Sequence, residues 1–389
     1  MAKLNHPIVH HPVGKQRLLQ GTVRPYRCKR QWLLLLFPAA LALSWWGKTH
    51  PQWTEQVYAL KIYKCISQMG STLSGWVPFS LAELCIVGLI LLAVYLVIRL
   101  IRSLHSAQRK KSVEVVSFLS TIGAVASVLY LFFVLNCGLN YNRSSFTDYS
   151  GLTVRPSSVQ ELEALCAELV EQVNILRPAM QEDASGVTAL PQSSFQTAQK
   201  AKEAFDVLSQ NYPVLEGSYA QPKPVLFSYL MSYTQITGFF FPFTFEANVN
   251  ILAPDYTIPA TMCHELAHLR GFMREDEANF IGYLACMASD QPELQYSGAM
   301  LALLHSMNSL YAEDYEAFLA LYQQYDAGVR RDFDYNNWYW QQFEGPVAEV
   351  SDAINDTYLK INHQSDGVKS YGRMVDLLLA DYRQRHGLS

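Results

Sequence analysis

Charge is scarce in this chain. Asp, Glu, Lys and Arg make up 16% of its 389 residues, while half are hydrophobic. A soluble protein carries nearer a quarter charged residues, so the shortfall argues for membrane segments. Paired cysteines are also missing. The seven cysteines (Cys28, Cys65, Cys85, Cys137, Cys166, Cys263 and Cys286) form no CxxC pair, and an odd count rules out a fully paired disulfide framework. A thiolate zinc site is disfavoured and nothing demands an oxidising compartment. The net charge of −4 offers no basic footprint for nucleic acid. Internal repeats and low-complexity tracts are absent, and strand-like alternation is nearly so. What remains is a mainly α fold, too long for one core of usual size.

Three apolar runs are present. The first, Trp32 to about Trp46, follows thirty residues that hold seven cations and no carboxylate. No small-residue cleavage site follows it, so it reads as a retained, rather short span with a tryptophan anchor. The second runs from about Pro78 to Ile101 and the third from about Val115 to Cys137. Both are long enough for a hydrocarbon core of roughly 30 Å. Arg102, Arg109, Lys110 and Lys111 lie between them, without an acid. The positive-inside rule then places the N-terminus and this loop in the cytoplasm. The expected organisation is a basic cytoplasmic segment at 1–30, a three-helix transmembrane region at 31–139 and an extracytoplasmic domain at 140–389. The expected location is the cell membrane, with multiple passes. Glu83 falls inside the second span, where it is either functional or reaches the interface.

Ser157 and Ser158, with Gln160 and Glu161, open a helix by capping-box logic, and it continues to about Leu176. A looser stretch, Glu182 to Ser193, precedes a helix from Phe195 to Leu208. Gly238 to Leu252 is rich in Phe, Thr and Val and reads as one or two strands. Beyond Tyr256 the chain reads as helical, with a long stretch from Ala299 to Tyr325 and a last helix from Tyr371 to Arg385.

The chemistry concentrates at His264-Glu265-Leu-Ala-His268. Thr257 is placed to cap this helix, Pro259 fits its first turn, and Gly271 can end it. His264 and His268 are four residues apart, so both imidazoles share one face and can reach one ion. Glu265 beside them can serve as general base. Zinc suits the arrangement, because it lowers the pKa of a bound water to roughly 7. With ten histidines in the chain, this pattern would arise by chance in about one such chain in a hundred. Catalytic zinc usually has three protein ligands. Glu275 and Glu277 both follow the Gly271 turn, about 200° apart on a helix. Glu275 is preferred, since Glu275, Ala278, Gly282 and Cys286 form one face whose small residues let two helices approach closely. Asn279, one turn on, can orient a ligand imidazole.

His264-Glu-Leu-Ala-His268 followed by Glu275-x-x-Ala-Asn279 resembles the gluzincin metallopeptidases, with Asn279 where several membrane-bound branches have Asp. Through Gly238–Asn250, Cys263–Ala285 and Asn355–Leu379 the chain also resembles functionally uncharacterised bacterial membrane proteins with three N-terminal spans and a gluzincin-like domain. The resemblance implies a zinc metallopeptidase domain with a small sheet. It also implies that Phe243 to Asn250, with Glu246 and Asn248, is the edge strand that holds an extended substrate. An oxyanion stabiliser is required, and Tyr371, Arg373 and Tyr233 are candidates. His305 and His363 are expected to be structural or exposed. The expected function is a membrane-anchored, zinc-dependent hydrolase of peptide or envelope-derived substrates. The alternative is a non-catalytic extracytoplasmic sensor that keeps the same fold.

Overall fold

The computed structural model describes residues 31–106, 110–362 and 373–388. The basic segment 1–30, His363 and Tyr371 lie outside the described residues.

The expected first span begins irregularly. Trp32–Leu35 forms a 3₁₀ turn, and α1 covers Leu36–Thr49. Pro38 has no amide hydrogen to donate to the carbonyl four residues back, so regular helix starts only there. α1 lies along a later helix, with Leu34 near Gly123, Phe37 on Tyr130 and Gly47 against Leu139. A segment with no strong sequence signal follows. Thr54–Tyr63 is a π-helical stretch, and α2 spans Lys64–Gly75.

Two helices among the described residues are long and apolar enough to cross a membrane: α3 (Leu81–His105) and α4 (Lys111–Asn136). α3 is roughly 37 Å long at 1.5 Å per residue, against a hydrocarbon core of about 30 Å. The large apolar side chains of α3 are mostly exposed. Both observations suggest membrane association.

The rest is a helical bundle with two small sheets. α5 (Val159–Leu176) and α6 (Ser194–Leu208) each begin with a complete capping box, at Ser158 with Glu161 and at Ser193 with Gln196. Between them β1 (Gln181–Glu182) pairs antiparallel with β2 (Thr188–Ala189). β3 (Lys223–Pro224) precedes the short α7 (Ser228–Ser232), β4 (Gly238–Phe241) and β5 (Glu246–Val249). The sheet order is β3-β5-β4, parallel on one side of β5 and antiparallel on the other. α8 (Ile258–Leu269) and α9 (Glu275–Ala288) pack on each other, and α9 packs on α10 (Pro292–Glu313). The long helix expected from Ala299 to Tyr325 is broken at Asp314, whose carboxylate accepts from the Ala317 amide at 3.0 Å and opens α11 (Tyr315–Tyr322). α12 (Ala327–Gln341), α13 (Pro346–Ile361) and α14 (Met374–His386) complete the chain.

One buried carboxylate joins the small sheet to α3. Glu246 of β5 accepts from the backbone amides of Leu81 (3.2 Å) and Ala82 (2.9 Å), the first residues of α3, and pairs with the Lys223 ammonium of β3. Lys223 also donates to the carbonyls of Ser74 and Phe79. In the reverse direction, Glu83 of α3 accepts from Leu226 (3.0 Å) and Phe227 (2.8 Å) after β3. Glu83 therefore serves the junction rather than a path through the membrane. Glu246 also differs from its expected role. β5 has partners on both edges, so Phe243–Asn250 is no free edge strand, and Glu246 and Asn248 are buried away from solvent.

Replacing Glu246 with Ala strands the buried Lys223 charge, a class of change that costs about 3–5 kcal/mol. Glu246→Ala is expected to lower the thermal midpoint of the detergent-purified protein sharply. Lys223→Met with Glu246→Gln, which removes both charges, should recover part of it.

Candidate metal centre

The histidine helix is shaped by what surrounds it. Thr257 occupies the expected N-cap position, but its hydroxyl donates to Pro254 O at 2.8 Å and caps nothing. The helix start is served instead by Ser297 of α10, whose hydroxyl accepts from the Ala260 amide at 2.9 Å. At the other end Gly271 adopts φ +90°, a conformation that favours glycine. That turn brings the Phe272 carbonyl back to 2.8 Å from His268 Nδ1. α9 then runs back antiparallel to α8. Its Gly282 lies so close that a Cβ there would sit 3.1 Å from the His264 amide nitrogen. The same crossing sets Asn279 Oδ1 2.7 Å from His264 Nδ1.

These partners define the imidazoles. A carbonyl oxygen can only accept, so each Nδ1 carries the hydrogen and each Nε2 turns to the other side. There Glu275 Oε2 lies 3.3 Å from His264 Nε2 and 3.6 Å from His268 Nε2. All three donor atoms fall within 4.8 Å of one another. Tetrahedral zinc with bonds of about 2.0–2.1 Å separates its ligand atoms by roughly 3.3 Å. The donor set and spacing fit that ion.

The three donors are coupled electrostatically. Burial works against the charge on Glu275, yet His268 and His264 hold its carboxyl far below the usual range. Burial likewise disfavours a charged His268, but Glu275 beside it prevails and lifts its pKa to about 9. Glu265 is different. Desolvation dominates there and pushes its pKa up to about 7, partly offset by the two histidines. Its Oε2 is buried and makes no hydrogen bond within the described residues.

The other expected participants lie elsewhere. Glu277 turns away, and its Oε1 accepts from Ser145 Oγ, the Phe146 amide and Arg274, each at 2.8 Å. Its job is to pin the segment after α4, which the 200° offset from Glu275 permits. Arg373 faces Asp276 at 3.4 Å and is not part of the cavity wall. Tyr233 meets Tyr229 outside that wall.

The donors open into a cavity of about 780 Å³. Two of its features were not foreseen. His305 of α10, expected to be structural or exposed, is in the wall, where burial and the neighbouring His264 lower its pKa to about 4. The strand that lines the cavity is β4, not β5. Among the described residues β4 is an edge strand of the sheet, and its Gly238 abuts the general-base candidate: a Cβ there would come within 2.6 Å of Glu265 Oε1. Gly238 was visible in the sequence only as the start of a strand.

Removing the Asn279 acceptor should loosen His264. Asn279→Ala is expected to weaken zinc affinity by about 10–100-fold, the usual effect of losing such a partner. Competition with a chromophoric chelator measures it, and circular dichroism should show the fold retained.

A family model described as "Protein of unknown function (DUF3810)" matches residues 58–379, and the chain belongs to that family. No curated protein and no solved structure shows a significant match to the chain.

Proposed function

We propose that this member of the family is a membrane-anchored zinc metallohydrolase of gluzincin type that cleaves peptide bonds. The observation that carries the reading is the His264, His268 and Glu275 donor set at zinc spacing, set beside the unpartnered Glu265 carboxylate. A zinc ion held there would acidify a water and polarise a carbonyl.

The remaining chemistry belongs to the chain. Glu265 Oε2 takes a proton from the attacking water and returns it to the departing amine as the C–N bond breaks. β4 offers a free edge to an extended peptide, whose backbone can pair with it irrespective of side chains. The absence of a side chain at Gly238 leaves Glu265 unobstructed. The basic residues Arg102, Lys110 and Lys111 lie at the ends of α3 and α4 remote from the catalytic half. By the positive-inside rule the site then faces the extracytoplasmic side.

The test is zinc stoichiometry on the detergent-purified protein, together with cleavage of a quenched-fluorescent peptide library. Wild type should hold about one zinc per chain. Glu265→Gln should keep the metal and lose activity by at least about 100-fold. Glu275→Gln should lose the metal, whereas Glu277→Gln should keep it while losing thermal stability. A wild-type protein that takes up no zinc after reconstitution would refute the hydrolase.

A further inference from the structure

Apolar side chains that a water-facing domain would bury are collected around one end of the cavity. Before and along α7, Leu226 (74% exposed), Phe227, Tyr229 and Leu230 (61% exposed) point outward. On α13, Val347, Val350 and Ile354 (65% exposed) recur at spacings of three and four and share one face. The adjoining face of α13 carries Ser351, Asp352 and Asn355 into the cavity wall. The two exposed patches are neighbours, because Phe343, just before α13, stacks edge-on against Tyr229 at 5.7 Å and Tyr233 at 5.1 Å. Together they form one apolar rim beside the cavity.

Each arm of the rim is tied to a different span. Glu83, in the first turn of α3, holds the Leu226 and Phe227 amides, so α7 lies level with that turn. Tyr358 of α13 packs edge-on against Phe133, in the last turn of α4, at 6.0 Å and accepts a hydrogen bond from Tyr141 at 3.0 Å. Phe133 itself lines the cavity. The ends of two apolar helices and an aromatic-rich rim thus share one level, where a bilayer passes from hydrocarbon to headgroups.

We propose that this rim is seated in the bilayer interface and that the cavity opens onto the lipid surface. The occupant of the rim is the bilayer itself, because the rim continues the surfaces of α3 and α4. Resting on the hydrolase reading, the substrate class is then a polypeptide tethered to the same membrane, entering sideways along the rim toward β4.

The full-length protein, with Cys28, Cys65 and Cys85 changed to Ser, would be placed in phosphatidylcholine–phosphatidylglycerol nanodiscs. A single environment-sensitive fluorophore would be attached at Leu230→Cys, Ile354→Cys or, as control, the exposed Glu163→Cys on α5. Nitroxide-bearing lipids should quench the two rim positions by about two-fold or more and leave the control unchanged. Rim positions quenched no more than Glu163 would overturn the seating. The same measurement on Glu275→Gln should be unaltered, so the seating is read independently of the metal, and a wild-type protein that takes up no zinc while its rim positions are quenched counts against the hydrolase alone. For the substrate, palmitoylated and unacylated forms of one peptide library are compared in nanodiscs. Faster cleavage of the acylated form is expected. Equal or slower cleavage overturns the tethered substrate, and no cleavage of either sinks it along with the hydrolase.

Discussion

The placement of the small sheet against the start of α3 depends on the pairing of Glu246 with Lys223. Both are buried, where an unpaired charge would be intolerable. Their mutual attraction is supplemented by the α3 amides and two carbonyls, so each charge is satisfied by groups from separate parts of the chain. The carboxylate also sits at a helix N-terminus, where negative charge is favoured. Because β5 carries Glu246 and pairs with β4, the same pairing determines where the free edge of the sheet lies relative to the donors.

The cluster of His264, His268 and Glu275 rests on a second constraint, the close antiparallel crossing of α8 and α9. Ala278, Gly282 and Cys286 supply small side chains at that contact. The approach sets Asn279 against His264 and Glu275 against both Nε2 atoms. The Gly271 turn contributes the remaining orienting carbonyl, so one short loop both reverses the chain and aligns His268. Glu277, about 200° round α9 from Glu275, instead braces the chain where it leaves α4.

Much of this was legible in local patterns. The α5 capping box, the four-residue spacing of His264 and His268, the preference for Glu275 and the orienting role of Asn279 are all short-range consequences of helical periodicity. The same logic failed where the partner was distant. Thr257 looks like a cap because of its type and position, yet Ser297 does that work from another helix. Phe243 to Asn250 has strand composition, but composition does not say how many neighbours a strand acquires, and β5 acquired two. The apolar run at Trp32 carried a proline that shortened its regular helix.

The sequence alone determined the membrane-prone helices, the mainly helical remainder and the chemistry available on α8, because hydropathy, helical period and residue type act within a few turns of chain. Tertiary structure alone decided that His305 enters the cavity wall, that β4 is the edge beside Glu265, and that α7 and α13 form one rim level with the ends of α3 and α4. Those outcomes depend on contacts between residues tens to hundreds of positions apart. Which buried charge finds which partner is settled by the packing of the whole chain, and no local pattern encodes it.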